Sequence, residues 1–155
     1  MPDIVDPATR SRMMSGIRGR DTKPERLVRK ALHARGFRYR LNVGSLPGRP
    51  DMVFPKYRAT VFVHGCFWHG HDCALFRAPD TRAGKWAAKI SRNRARDGEV
   101  REALHEAGWR QLVIWECSIR GRNRLGLETV VDQATDWLLS RNRFLEIRGN
   151  RDGHD

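Results

Sequence analysis

The sequence predicts an α/β domain in which a small mixed sheet is flanked by helices. Three observations carry that expectation. Residues 51–54 and 59–64 are short apolar runs joined by Pro55-Lys56-Tyr57-Arg58, the composition of a hairpin turn. Trp86, Ile90, Asn93, Asp97, Val100, Leu104 and Ala107 recur at alternating spacings of four and three, one stripe of a long helix. Leu112-Val113-Ile114-Trp115 is apolar without a break, as in a strand buried on both faces.

The remaining elements follow in order. Residues 1–20 are polar and basic, with Arg10, Arg12, Arg18 and Arg20 and no sustained apolar period, and read as an arm. Thr22-x-x-Glu25 is a capping-box signature, and Leu27, Val28, Ala31 and Leu32 form the apolar face of a helix ending before Gly36. Phe37, Tyr39 and Leu41 alternate with Arg38 and Arg40, the pattern of a half-exposed strand. The run 44–50 is loop. Val130, Val131, Ala134, Trp137 and Leu138 mark a last helix, and a polar tail, expected to be frayed, runs from Asn142 over residues 142–155. The folded domain is thus expected at 21–141, with no internal repeat and no second domain.

Thirty Lys plus Arg against eighteen Asp plus Glu give the 155-residue chain a net charge of +12. Arginine dominates the excess, and its planar fork suits phosphates and base edges. A polyanion is the natural partner. The hydrophobic fraction of 39% allows one proper core. No apolar run approaches a transmembrane span and the N-terminus lacks a signal-peptide core, so a cytoplasmic location is expected. Three cysteines in a reducing compartment argue against a disulfide framework.

Metal ligation explains those cysteines better. Cys66, His71 and Cys73 form a tight Cys-x4-His-x-Cys cluster, and Cys117 ends the buried strand. Three thiolates and one imidazole make a closed tetrahedral zinc set, which holds a loop rather than activating water. Buried free cysteines beside an unrelated histidine are the plainer alternative. His64 and His69 stay outside the set and call for a second role.

That role is suggested by Pro50-Asp51 at the start of the hairpin and His64 at its end. A carboxylate there, with a basic residue about a dozen positions on, is the plan of the PD-(D/E)xK nucleases. Here the E-x-K positions read Phe62-Val63-His64, so the glutamate is missing and the lysine is histidine. A lone Pro-Asp is weak, since such dipeptides are mostly turns.

The wider context is specific. The stretches SLPGRPD, VFVHGCFWHGHDC and WECSIRGR, with ATRSRMM near the N-terminus, resemble the very short patch repair (Vsr-type) mismatch endonucleases over nearly the whole chain. The resemblance implies a zinc-bearing variant of the restriction-endonuclease-like fold. The implied activity is nicking one strand of duplex DNA 5′ to the thymine of a T·G mismatch. It implies zinc ligands at Cys66, His71, Cys73 and Cys117, and catalytic residues at Glu25, Asp51, His64, His69 and Asp97. Asp51 and the Val63 backbone carbonyl are implied ligands of Mg2+, a hard cation that prefers oxygen. His69 is then the expected general base, with an unperturbed pKa near working pH. Glu25 is expected to orient His69, or only to cap its helix; Asp97 is expected to orient His64, or only to pair with an arginine.

Phe67 and Trp68 cannot both point into so short a loop, so at least one is expected outside, ready to wedge between bases. Trp86 fits either the core or a third wedge position. In the family the arm crosses the minor groove, a role for Met14 and Ile17. A monomer is expected, because the site is complete in one chain and the mismatch is asymmetric. The resemblance also leaves room for transient contact with other mismatch-repair proteins. Two rivals stand beside this reading: a zinc-stabilised duplex-binding module without chemistry, and a PD-(D/E)xK nuclease of other substrate choice.

Overall fold

A computed structural model describes residues 22–67, 69–73 and 83–151, with side chains in the second helix from Ala87 onward. The basic arm with Met14 and Ile17, the whole of Trp68 and the side chain of Trp86 lie outside the described residues. The elements are α1 (Lys23–Ala34), β1 (Arg40–Leu41), β2 (Met52–Phe54), β3 (Ala59–His64), α2 (Ala83–Glu106), β4 (Arg110–Trp115), α3 (Leu127–Leu139) and β5 (Phe144–Ile147). The strands form one five-stranded sheet in chain order. β1–β2 and β2–β3 are antiparallel, while β3–β4 and β4–β5 are parallel. The parallel pairs need crossovers, and α2 and α3 supply them. This is the mixed sheet flanked by helices that the patterning predicts.

Each helix has a local cause. Thr22 caps α1, its side chain accepting from Glu25 N–H at 3.4 Å, and proline in the first turn is pre-set for helix. Val28 and Leu32 of α1 join Val130, Val131, Ala134, Trp137 and Leu138 of α3 over one face of the sheet. That face presents Val61 and Val63 from β3, Leu112 and Ile114 from β4, and Ile147 from β5. Strand side chains alternate, so Phe62, His64, Val113, Trp115, Phe144 and Glu146 all turn to the opposite face, beneath α2. The period-two pattern therefore divides the molecule into a packed side and a working side.

Two expectations about elements are corrected. The strand expected over 37–41 shrinks to Arg40–Leu41. Phe37 instead packs edge-on against Phe54, and Tyr39 O–H donates to the Arg29 carbonyl at 2.8 Å, tying this stretch to α1. The frayed tail is the larger correction. Residues 144–147 form β5, Gly149 N–H donates to Cys117 Sγ at 3.3 Å, and Arg148 grips Asp72 at 2.7 Å. The segment is ordered because Leu145 and Ile147 pack on the core and the donors that follow find acceptors at the Cys/His loop.

Candidate active site and metal centre

The Cys/His cluster assembles where three segments meet. Cys66, His71 and Cys73 sit on the loop after β3, and Cys117 lies in a short turn directly after β4. Their ligand atoms all lie within 4.8 Å of one another. His71 Nδ1 lies 3.5 Å from both Cys66 Sγ and Cys117 Sγ. Tetrahedral zinc with bonds of about 2.3 Å to sulfur and 2.0 Å to nitrogen would separate such atoms by roughly 3.6 Å. The donor set and the spacing both fit the ion.

Within the cluster the two buried thiols of Cys66 and Cys117 shift each other in opposite directions. Contact with Cys117, then burial, pushes the Cys66 thiol far up. The same contact, aided by His71 and the Gly149 N–H against burial, draws Cys117 down to about 4. A cation there would replace the shared proton and neutralise the remaining sulfur charge. Outside the cluster, Arg148 holds the Asp72 carboxyl below its usual range, and Asp72 in turn lies 3.7 Å from His71 Nε2.

The second assembly lines a cavity of about 530 Å³ between α2 and the sheet. Asp51, Val63, His64, His69 and Asp97 all border it. Asp51 precedes β2 and is buried, its Oδ2 accepting from Val63 N–H at 2.6 Å across the hairpin. Gly48 brings the preceding loop in close: at φ +76°, a Cβ there would lie 2.6 Å from a Val100 methyl. Gly70 does the same for the loop after β3, with Ile90 of α2 only 2.7 Å from where its Cβ would be.

That close docking decides which histidine meets the acid. Asp97 Oδ2 lies 2.6 Å from His69 Nδ1, so its hydrogen bond goes to His69 rather than to His64 as expected. A ring nitrogen of His64 also lies within 4.8 Å of the Asp97 carboxylate. The loop turns back against α2 and presents His69 to the acid. His64 stacks on His69, the ring centroids 3.8 Å apart at 6°. Burial, then the nearby imidazoles of His69 and His71, holds His64 well below the ordinary histidine range, so it is neutral at neutral pH. Its Nδ1 is buried without a hydrogen-bond partner.

Glu25 is fully buried, and its carboxylate accepts from Arg29 at 3.3 Å. It is not among the described residues that border the cavity. Phe67 is half-buried, which leaves part of the ring accessible at the loop surface. Ile90 and Leu104 of the α2 stripe are buried, while Asn93, Asp97 and Val100 border the cavity and Ala107 falls beyond the helix. The cavity adds residues that the sequence reading passed over. Lys89 and Arg96 flank Asn93 at helical spacing, a signal visible in the sequence. Glu146 comes from β5, and its Oε1 accepts from Trp115 Nε1 at 2.9 Å. No helix among the described residues is long and apolar enough to cross a membrane.

The chain resembles known proteins in the same sense. Residues 2–75 match the family model described as DNA mismatch endonuclease Vsr. A DNA mismatch endonuclease Vsr from Escherichia coli is 42% identical over 147 residues, 95% of this chain and 94% of its own. The type II nicking enzyme V.XorIIP of Xanthomonas oryzae is 46% identical over 119 residues, 77% of this chain and 88% of its own. V.NmeAIP, a type II nicking enzyme of Neisseria meningitidis, is 42% identical over 122 residues, covering 79% and 87%. With the likeness to the Escherichia coli enzyme running through nearly the full length of both chains, this chain belongs to the Vsr family of DNA mismatch endonucleases and is a DNA endonuclease.

Proposed function

We propose that this chain nicks one strand of duplex DNA 5′ to the thymine of a T·G mismatch and so initiates very short patch repair. The observation that carries the chemistry is the pairing of His69 Nδ1 with Asp97 Oδ2 in the cavity that Asp51 also borders. With Nδ1 engaged by the carboxylate, Nε2 is the nitrogen left to accept a proton from the attacking water. Asp97 fixes the ring and stabilises the imidazolium that results. Neutral His64, stacked against His69, keeps that ring in plane without adding a second positive charge.

Water attacks the phosphorus in line, the P–O3′ bond breaks, and the products are a 3′-hydroxyl and a 5′-phosphate. Asp51 and the carbonyl of Val63 are hard oxygen donors suited to Mg2+, and the hydrogen bond from Val63 N–H holds the Asp51 carboxylate in one orientation. When bound, Mg2+ supplies positive charge to the scissile phosphate and the leaving oxygen. Glu25 has a supporting role from the buried first turn of α1. Zn2+ is the ion for Cys66, His71, Cys73 and Cys117, and its part is to hold the loop that carries His69. Phe67, with Trp68, Trp86 and the arm residues Met14 and Ile17, reads the distorted duplex. A mismatch lowers the cost of unstacking, so wedging itself selects.

We read the enzyme as a cytoplasmic monomer, in transient contact at most with other mismatch-repair proteins. The test is a substrate panel of T·G, fully paired and branched duplexes, with and without Mg2+. Mg2+-dependent nicking confined to the T·G duplex supports the proposal. Cleavage of branched or paired DNA at equal rates replaces it with another nuclease specificity, and binding without cleavage replaces it with a non-catalytic module.

A further inference from the structure

We propose that Trp115, held by Glu146, is a positioning residue that couples the Cys/His cluster to the His64–His69 pair. The indole stands between the two assemblies. On one side it lies parallel to His71, with ring centroids 4.0 Å apart at 6°. On the other it meets His64 nearly at right angles, centroids 5.1 Å apart at 72°, and His69 at 5.9 Å and 79°. A large flat ring with only two side-chain torsions transmits a tilt rather than absorbing it. If the indole rotates, His71 or His64 must shift with it.

The bond from Trp115 Nε1 to Glu146 Oε1, 2.9 Å long, fixes that rotation. Trp115 is 8% exposed whereas Glu146 is exposed, so the bond ties a buried indole to a carboxylate that keeps contact with solvent. An exposed position admits a glutamate on its own account; what distinguishes this one is the bond it makes to Trp115. Its neighbours Leu145 and Ile147 serve the opposite face, whereas Glu146 borders the cavity that already holds Asp51 and Asp97. That cavity is also lined by Arg49, Lys89, Arg96 and Arg101, so a further carboxylate meets cations there as well as Asp51 and Asp97.

This inference rests on the reading of His69 as the base, and the experiment separates the two. Glu146→Leu, Glu146→Gln, Trp115→Phe, the double variant Trp115→Phe/Glu146→Leu and His69→Ala are prepared as full-length chains. Each is measured for single-turnover nicking of a T·G duplex, affinity for that duplex and metal bound per chain. Glu146→Leu is expected to slow nicking roughly 10- to 100-fold, the usual scale for a partner that orients a working group, at unchanged affinity and metal content. Glu146→Gln keeps an acceptor oxygen and is expected to restore the rate. Trp115→Phe/Glu146→Leu should be no slower than the slower single variant, because both remove one bond.

Wild-type nicking by Glu146→Leu overturns the coupling, and so does a rate for Glu146→Gln as low as that for Glu146→Leu. Loss of affinity or metal in step with the rate also overturns it, by making Glu146 a folding residue. If His69→Ala is inactive while Glu146→Leu is not, only the coupling fails. If His69→Ala nicks normally, the base reading fails and takes the coupling with it.

Discussion

His69 and Asp97 meet across 28 residues of sequence, Nδ1 to Oδ2, at 2.6 Å. The contact joins the loop after β3 to the middle of α2, and both partners remain partly accessible, at 18% and 31%. An acid on the inner stripe of a long helix thereby has a reason to be there. Under the proposed function, the carboxylate would orient His69 as a base, with one ring nitrogen tied.

Asp97→Asn tests the pairing with little change of shape. The amide can still occupy the site, but it lacks the charge that stabilises an imidazolium. Nicking is expected to fall by roughly 10²- to 10⁴-fold, the usual worth of general-base assistance, with duplex affinity retained. Single-turnover rates and equilibrium binding on the same T·G duplex check it.

Cys117→Ser tests the metal centre. It removes the candidate ligand at the end of β4, and bound metal is expected to be lost with much of the folding energy it would supply. A loss of about 3 kcal/mol alone would lower Tm by roughly 6–12 °C in a domain of this size. Metal analysis and thermal unfolding of the purified chain measure both.

Gly149→Ala probes the same centre from the other side. A Cβ at this position would land on the carbonyl oxygens of Cys117 and Asn123, backbone atoms that cannot swing away. Overpacking of about 1–3 kcal/mol is expected, with weaker retention of metal because Cys117 must move. Thermal unfolding with and without a chelator separates the two effects.

Phe67→Ala tests recognition. A half-buried ring beside the metal loop should contribute stacking of roughly 1–3 kcal/mol to a mismatched duplex. Paired DNA, held by phosphate contacts from the arginines, should lose much less. Affinities for T·G and paired duplexes at one stated salt concentration decide between a wedge and a core residue.

Particular residues show what was legible in the sequence and what was not. The convergence of Cys66, His71, Cys73 and Cys117 is legible because three of them share one tight loop and a tetrahedral set wants a fourth donor; the structure brings together all four, which could hold a metal ion. The two faces of the sheet follow from alternation in residues 59–64. Asp97 is half-legible: helical period assigns its face, but not which of two histidines it meets, since that depends on how Gly70 docks the loop on α2. β5 was not legible, because its pairing is with β4, more than thirty residues away, and Phe144–Ile147 carries no strong local signal. Glu146 was missed with it, since only the parallel register beside Val113 brings it into the cavity.

His69→Ala bears most directly on the proposal that this cavity performs base-assisted cleavage. The comparison is the nicking rate and the duplex affinity of the variant against those of the parent chain, on one T·G duplex with Mg2+ present. Nicking slowed by roughly 10²- to 10⁴-fold at unchanged affinity is the predicted result. A parallel loss of affinity and rate would make His69 a structural histidine, and an unchanged rate would contradict the account outright.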